Sequence, residues 1–413
     1  ADIPRLYSCC TTVFIMRVKI YPSRAHGTAT APPSKSMAHR LLICAALAEG
    51  SSRIDGVALS EDIRATLRCL DALGAQSRLD GDTVYMTGAF PRVRGHLDAG
   101  ESGSTLRFII PLCAVGEGKA VLHGHGRLMS RPLGEYERIF SQRALDFSLH
   151  GDELNISGPL TAGNYSLRGD VSSQFISGLL FALPLLGGES SVTVIPPFKS
   201  RAYVDMTLSA QRDFGVNILR EGENKFLIPA DAAYKARDMT VEGDWSNAAF
   251  LDGLGLIGDG VDVCGLCDAS LQSDKVYKEY FKKISEGRPT LDLSECPDLA
   301  PVLFALASVF HGAEFTGTRR LRYKESDRVG AMASELNKLG VTVTAEEDRV
   351  TVGCGVQSPT QVIDSHNDHR IVMAMTLPLT LTGGEIDGCE AVKKSYPDFF
   401  DRIREIGIKA EFQ

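Results

Sequence analysis

Ser34-Lys-Ser-Met-Ala-His-Arg-Leu-Leu-Ile-Cys-Ala-Ala-Leu47, followed by Gly50, has a polar start and then an apolar body with almost no polar face. Serine satisfies free N–H groups at a helix start, and glycine adopts the backbone conformation that ends a helix. A helix apolar nearly all round belongs inside a domain. The pattern recurs from Ser102 to Gly116, Ser172 to Gly187, Ser246 to Gly258, Asp298 to Gly312 and Asp368 to Gly383. That makes six copies, each expected to open on a Ser or Asp cap. Amphipathic helices alternate with them and end in a hydrophobe, a glycine and a strand: Asp62 to Gly74, Asp205 to Gly215, Asp327 to Gly340 and Asp398 to Gly407. Short runs such as Val341-Thr-Val-Thr344 and Val350-Thr-Val352 read as strands. The expected plan is α/β: six βαβαββ-like units, three in each of two globular domains, with helices buried and sheets outside.

A length of 413 residues fits two domains better than one core. Apolar residues at 44% and charged ones at 23% describe a soluble globular chain. No apolar run reaches the roughly 18 residues of a membrane span. A net charge of −8 speaks against nucleic acid, which needs a basic face. An anionic ligand would therefore need positive charge gathered locally in a cleft. Ten cysteines without framework spacing fit the reduced thiols of a cytoplasm. Cys264 and Cys267 read as buried strand cysteines, because a zinc site would want a second pair nearby. Residues 1–15 read as an extension dispensable for chemistry and unlike a secretory signal, with the first strand opening at Met16.

Charged and hydroxyl side chains gather at the helix starts. Lys35, Ser36 and Arg40 share the first turns of one helix, and Arg107 follows Gly103-Ser-Thr105 in the same way. Arg131 lies in Met129-Ser-Arg-Pro-Leu133, and Ser172-Ser-Gln174 opens the third apolar helix. Lys324-Glu-Ser-Asp-Arg328, Asn367-Asp-His-Arg370 and Lys394-Ser-Tyr-Pro-Asp398 complete seven clusters. A single cluster of this kind is ordinarily a capped, solvated helix end. Seven on a repeating scaffold point to one shared site, and helix N-termini with their free N–H groups suit anions.

In these motifs and in their order, from about Thr30 to Phe400, the chain closely resembles the 5-enolpyruvylshikimate-3-phosphate (EPSP) synthases. Pro33-Ser-Lys-Ser-x-x-x-Arg40, Lys324-Glu-Ser-Asp-Arg328 and Asn367-Asp-His-Arg370 carry the resemblance. It implies the enolpyruvyl transferase fold, an inside-out α/β barrel whose two domains close around the substrates. The domains implied are residues 34–242, and residues 16–33 together with 243–413. It further implies that Lys35, Gly103, Arg131, Gln174, Arg328, Arg370 and Lys394 hold phosphoenolpyruvate. Shikimate-3-phosphate would be held by Lys35, Ser36, Arg40, Ser172, Ser173, Gln174, Ser200, Tyr203, Asp298, Arg320 and Lys324. Arginine forks suit phosphate and carboxylate geometry. Asp298 would serve the 5-hydroxyl, while Glu325 and Lys35 exchange protons around C3 and the bridging oxygen. No metal and no organic cofactor is required, and the implied enzyme is a cytoplasmic monomer of the shikimate pathway with no membrane partner.

Three positions depart from the usual pattern. Glu101 stands where many members have Asn, Phe108 where Pro or Leu is usual, and Arg320 in place of an Asn. Glu101, a carboxylate beside Gly103, is expected to weaken binding of the anionic inhibitor glyphosate. The nearest alternative is the sister transferase acting on UDP-N-acetylglucosamine, which places a catalytic Cys in a loop. Here the loop Gly116 to Ser130 has none, and Cys113 reads as core. A metallohydrolase using Asp364, His366, Asp368 and His369, or His123 and His125, lacks any ligand spacing with a mechanism behind it. A non-catalytic anion-binding module would need neither Asp298 nor Glu325.

Overall fold

The computed structural model describes residues 16–413, so the expectation for residues 1–15 lies outside it. Inner and outer helices alternate along the chain: α1 (Lys35–Leu47) and α2 (Glu61–Ala72), α3 (Gly103–Cys113) and α4 (Gly134–Gln142), α5 (Ser173–Ala182) and α6 (Arg201–Asp213). The second half repeats this with α7 (Trp245–Ile257) and α8 (Tyr277–Glu286), α9 (Ala300–Val309) and α10 (Arg328–Lys338), α11 (His369–Thr382) and α12 (Phe399–Glu405). The outer helices α4 and α8 went unread in the sequence pattern. The apolar helices are buried as expected: in α9 nine residues from Ala300 to Ser308 are inaccessible, whereas α8 buries only Tyr277, Phe281 and Ile284.

The caps account for the inner-helix starts, with two corrections. Ser34, Ser102, Ser172 and Asp368 each accept a backbone N–H of the first turn. The fourth helix is capped by Asp244, whose Oδ1 takes the Asn247 N–H at 2.8 Å, and not by Ser246. The fifth has no side-chain cap. Pro297–Leu299 forms a 3₁₀ turn ahead of α9, and Asp298 turns its carboxylate away from the helix. Three cations hold it there, which is a stronger demand than one backbone N–H.

Each complete unit has one topology. Asn164–Arg168 runs parallel to Ser190–Ile195 across α5, and Leu219–Glu221 and Lys225–Ile228 then fold back antiparallel. Four further four-stranded sheets keep this order. Two of them borrow a distant strand: Arg17–Ile20 joins the last unit, and Met239–Thr240 joins the first. The fourth unit departs from the expected plan. It has two strands, Gly27–Thr30 and Val261–Cys264, because only Gly287, Arg288 and Pro289 separate α8 from the next unit's first strand. That short sheet is left partly uncovered, so Cys264 and Cys267 are exposed, not buried as the sequence led us to expect.

Apolar side chains fall into two cores. One runs from Ala38 to Val241, and the other joins Val18 to Ala29 with Trp245 to Ala410. In the first, α3 and α5 approach closely at Gly178. Tyr136 there donates to the carbonyls of Arg107 at 2.7 Å and Phe175 at 3.0 Å. A Cβ at Gly178 would overlap both the Tyr136 hydroxyl and the Arg107 carbonyl. Gly178→Ala is therefore expected to cost about 1–3 kcal/mol by overpacking, and to lower the thermal midpoint by several degrees. An unchanged midpoint in calorimetry would show that the two helices have slack at this crossing.

Candidate active site

The caps leave the side chains of each first turn pointing out of the cores, and all six inner helices aim them at one cavity of about 690 Å³. Lys35 and Ser36 come from α1, Gly103 and Ser104 from α3, Ser173 and Gln174 from α5. Ser246 and Asn247 come from α7, Asp298 from the turn before α9, and His369 and Arg370 from α11. Eleven Lys and Arg side chains and eight Asp and Glu side chains line the wall, an excess of cations in a chain whose net charge is −8. Six partly positive helix ends add to that excess. The cavity is built for anions.

Arg328 is the hub of one wall. Its side chain is 1% exposed, and its guanidinium donates to Asp298 Oδ1 at 2.9 Å, Glu325 Oε2 at 2.7 Å and Asp368 Oδ2 at 2.9 Å. Asp298 also accepts from Lys324 Nζ at 3.2 Å and Arg370 Nη2 at 3.3 Å. Burial alone would raise the Asp298 carboxyl, but Arg370, Lys324 and Arg328 together hold it well below the usual carboxylate range. Burial likewise opposes ionisation of Glu325, and Arg328, Arg131, His369 and Lys324 override it. Both acids are thus ionised. Burial, then Lys35, hold His369 well below the usual histidine range, so its ring is neutral at pH 7.

The opposite wall is held differently. Lys35 Nζ pairs with Asp62 Oδ2 at 2.7 Å, and its backbone N–H donates to Asp244 Oδ2 at 3.1 Å. Arg107 Nη1 donates to Gln174 Oε1 at 2.8 Å, and burial, then Arg131, push its guanidinium down to about 9. Arg40 donates to Thr207 Oγ1, to the Ser36 carbonyl and to the Tyr203 carbonyl, and its guanidinium lies 5.4 Å from the Phe108 ring. Arg40 therefore positions Ser36 and Tyr203. The Tyr203 hydroxyl donates to Asp274 Oδ2 at 2.9 Å, and burial, then Asp298, push Asp274 up to about 7. Arg320 Nη2 donates to Ser200 Oγ at 3.1 Å, and Ser200 holds a left-handed φ of 55°. Among the described residues, Arg131 Nη1, Arg320 Nε, Arg107 Nε and both ring nitrogens of His369 have no protein partner. The arginine N–H groups want acceptors, and the neutral His369 ring, with one N–H and one bare nitrogen, wants one partner of each kind.

Every residue named from the sequence for substrate or catalysis lies on this cavity wall except Lys394. The Lys394 ammonium is turned instead to Glu101 Oε2 at 2.8 Å and to the Asn367 carbonyl at 2.7 Å. Sequence reasoning missed Asp62, Asp244 and Asp274 as wall residues, and nothing local marks them, since each looks like an ordinary helix-start or loop acid. Gly103 crowds Arg131: a Cβ there would lie 2.5 Å from Nη1. Among the described residues no group of three or more His, Cys, Asp and Glu is arranged to hold a metal. His366 is bonded to Glu335 at 2.8 Å and His125 to Asp98 at 3.1 Å.

Solved structures similar to this one include EPSP synthases and another enolpyruvyl transferase. An EPSP synthase from Acinetobacter baumannii superposes with a TM-score of 0.77 at 25% identity, covering 96% of this chain and 100% of that one. The enolpyruvyl transferase NikO from Streptomyces tendae gives 0.74 at 15% identity over 97% and 99% of the two chains, a likeness of fold. The molecule thus has the architecture of the enolpyruvyl transferases. The sequence model of the EPSP synthase (3-phosphoshikimate 1-carboxyvinyltransferase) family matches residues 21–403. A 3-phosphoshikimate 1-carboxyvinyltransferase of Clostridium kluyveri is 39% identical over 418 residues, 94% of this chain and 97% of that one. One from Clostridium botulinum is 38% identical over 419 residues with the same coverage. The chain belongs to the EPSP synthase family.

The depressed carboxyls carry a consequence for stability. A carboxyl whose folded value lies below its unfolded one contributes stability above the unfolded value, near 4, and loses it as the pH falls toward the folded value. Asp298→Asn leaves Lys324, Arg328 and Arg370 undercompensated, at an expected cost of about 3 kcal/mol at pH 7. Urea titrations from pH 7 to 3 should show this gap steady down to about pH 5 and shrinking below it. A variant as stable as the parent at pH 7 would show that the cations do not depend on this carboxylate.

Proposed function

We propose that this cavity transfers the enolpyruvyl group of phosphoenolpyruvate to the 5-hydroxyl of shikimate-3-phosphate and releases phosphate. The observation that carries the reading is the pair of ionised acids, Asp298 and Glu325, on either side of Arg328 in a cation-lined cavity. Both substrates are phosphorylated anions, which such a wall recognises. Phosphoenolpyruvate would engage Lys35, Arg131, Gln174, Arg328 and Arg370 beside Gly103, with Lys394 in reach. Shikimate-3-phosphate would lie against Ser36, Ser172, Ser173, Gln174, Ser200, Tyr203, Arg320 and Lys324, with Arg40 behind them. Residues 34–242 and residues 16–33 with 243–413 act as the two closing domains. One chain supplies the whole wall, so a monomer suffices. No helix among the described residues is long and apolar enough to cross a membrane, and the reduced thiols fit a cytoplasmic setting.

The chemistry needs two proton movements. Asp298 takes the proton of the 5-hydroxyl as that oxygen attacks C2, while C3 gains a proton and becomes a methyl group. In the next step the methyl loses a proton, the C2–O bond to phosphate breaks, and phosphate leaves against Arg131, Arg328 and Lys35. Glu325 cannot give C3 a proton while Arg328 and Arg131 keep it ionised. The phosphate and carboxylate of phosphoenolpyruvate neutralise those same cations. Glu325 then becomes basic enough to take up a proton and pass it on. The sister reaction on UDP-N-acetylglucosamine is not favoured, because Cys113 is buried at the end of α3 and the following loop carries no cysteine.

Phosphate release with both substrates present is the direct test of the reaction. Asp298→Ala should lower kcat by roughly 100- to 10,000-fold with binding largely kept. Glu325→Gln should do likewise and also slow exchange of solvent deuterium into the C3 methylene. Normal turnover in both variants would sink these two roles. Calorimetry of ternary complex formation, repeated in buffers of different ionisation enthalpy, should show uptake of about one proton near pH 7, absent in Glu325→Gln. Heats independent of the buffer would mean that the anions do not recharge Glu325.

A further inference from the structure

Lys394 and Glu101 come from the two halves of the molecule, and their contact adjoins the cavity wall along the chain: Glu101 stands two residues before Gly103, and Asn367, which Lys394 also touches, two before His369. The Lys394 side chain is 6% exposed, with its ammonium between Glu101 Oε2 and the Asn367 carbonyl. The Asn367 amide nitrogen in turn lies 3.1 and 3.0 Å from the two Glu101 oxygens. Glu101 is thereby fixed by a cation on one side and an amide on the other. Its third boundary is Gly126, at φ +57°, where a Cβ would come within 2.9 Å of the carboxyl group.

A second observation shows that this arrangement is built. His366 and Asn367 are consecutive non-glycine residues in the left-handed region, with φ of 50° and 52°. Such residues cost of order 1–3 kcal/mol each and persist only where the surroundings overdetermine them. Here His366 Nε2 is anchored on the buried Glu335 at 2.8 Å, and Glu335 also takes the Asp364 N–H and Lys338. The strained turn is what presents the Asn367 carbonyl to Lys394 and the Asn367 amide to Glu101.

We infer that Glu101 sets the enzyme's affinity for small phosphorylated anions, because its carboxylate occupies the Lys394 ammonium that the phosphate of the three-carbon substrate must claim. This rests on the assignment of Lys394 to phosphoenolpyruvate proposed above. A carboxylate and a phosphate cannot both take the same ammonium at full strength, so substrate binds only by displacing or sharing the Glu101 contact. Glu101 acts through Lys394 and is a positioning residue, not a catalytic one. Part of the binding energy is spent on this exchange, which keeps the Michaelis constant higher than the bare cation wall would set it.

The test is a charge swap with a control background. Glu101→Gln keeps the size and an acceptor but removes the charge. It should lower KM for phosphoenolpyruvate by about three- to tenfold, the effect of one partly buried ion pair, and leave KM for shikimate-3-phosphate unchanged. Glu101→Asp, which keeps the charge, should return KM toward the parent value. In a Lys394→Gln background the Glu101→Gln effect should disappear, since the two residues would then no longer be coupled. An unchanged or raised KM for phosphoenolpyruvate in Glu101→Gln, with Lys394→Gln weakening that substrate, would overturn the inference and leave the Lys394 assignment standing. If Lys394→Gln leaves KM for phosphoenolpyruvate untouched, the assignment falls and the inference falls with it.

Discussion

Six inner helices point their N-termini into one cavity, and the rest of the structure depends on that convergence. Each N-terminus carries free N–H groups and about half a positive charge. Bringing six together is unfavourable unless caps satisfy the donors and acids balance the field. Ser34, Ser102, Ser172, Asp244 and Asp368 supply five of the caps. The apolar bodies behind those caps fill the cores, and the sheets are pushed outward. An acidic chain thus gains a cavity for anions without a basic surface.

The fifth start, that of α9, is where the scaffold departs from its own rule and becomes chemical. Without a cap on α9, Asp298 is available to Lys324, Arg328 and Arg370, and Arg328 ties it to Glu325 and Asp368. Asp368 caps α11 and binds Arg328 with the same carboxylate. Helix end and charge network are therefore one construction. An anionic ligand that draws on these cations would leave the neighbouring carboxylates more basic, which is how the proposed reaction couples binding to proton transfer.

Contacts between the two cores converge on the same place. Tyr203 reaches Asp274, the Ser200 and Arg201 N–H groups reach Glu295, Arg131 reaches the Tyr323 carbonyl, and Lys394 reaches Glu101. These are polar ties around a cavity, in contrast to the apolar interiors on either side. On the reading proposed above, ligands that touch both walls would draw the two halves together.

Much of this was legible in the residues. The apolar helix with a polar start and a glycine stop is a local signal, because capping and amphipathicity act within a few residues of chain. It located the inner helices, and Lys35, Arg131, Asp298, Glu325, Arg328 and Arg370 stood out at or near helix starts. Local signals also misled. Ser246 looked like a cap while Asp244 does the capping, α4 and α8 lack the hydrophobe–glycine–strand ending that marked the other outer helices, and the Cys264 strand looked buried until its sheet proved to have only two strands. The tertiary structure alone decided that Asp62 would face Lys35, that Asp274 would meet Tyr203, and that Glu101 would hold Lys394, 293 residues away. Periodicity and capping are properties of neighbours in the chain, whereas the partner of a buried charge is chosen by whichever opposite charge the packed helices bring within reach.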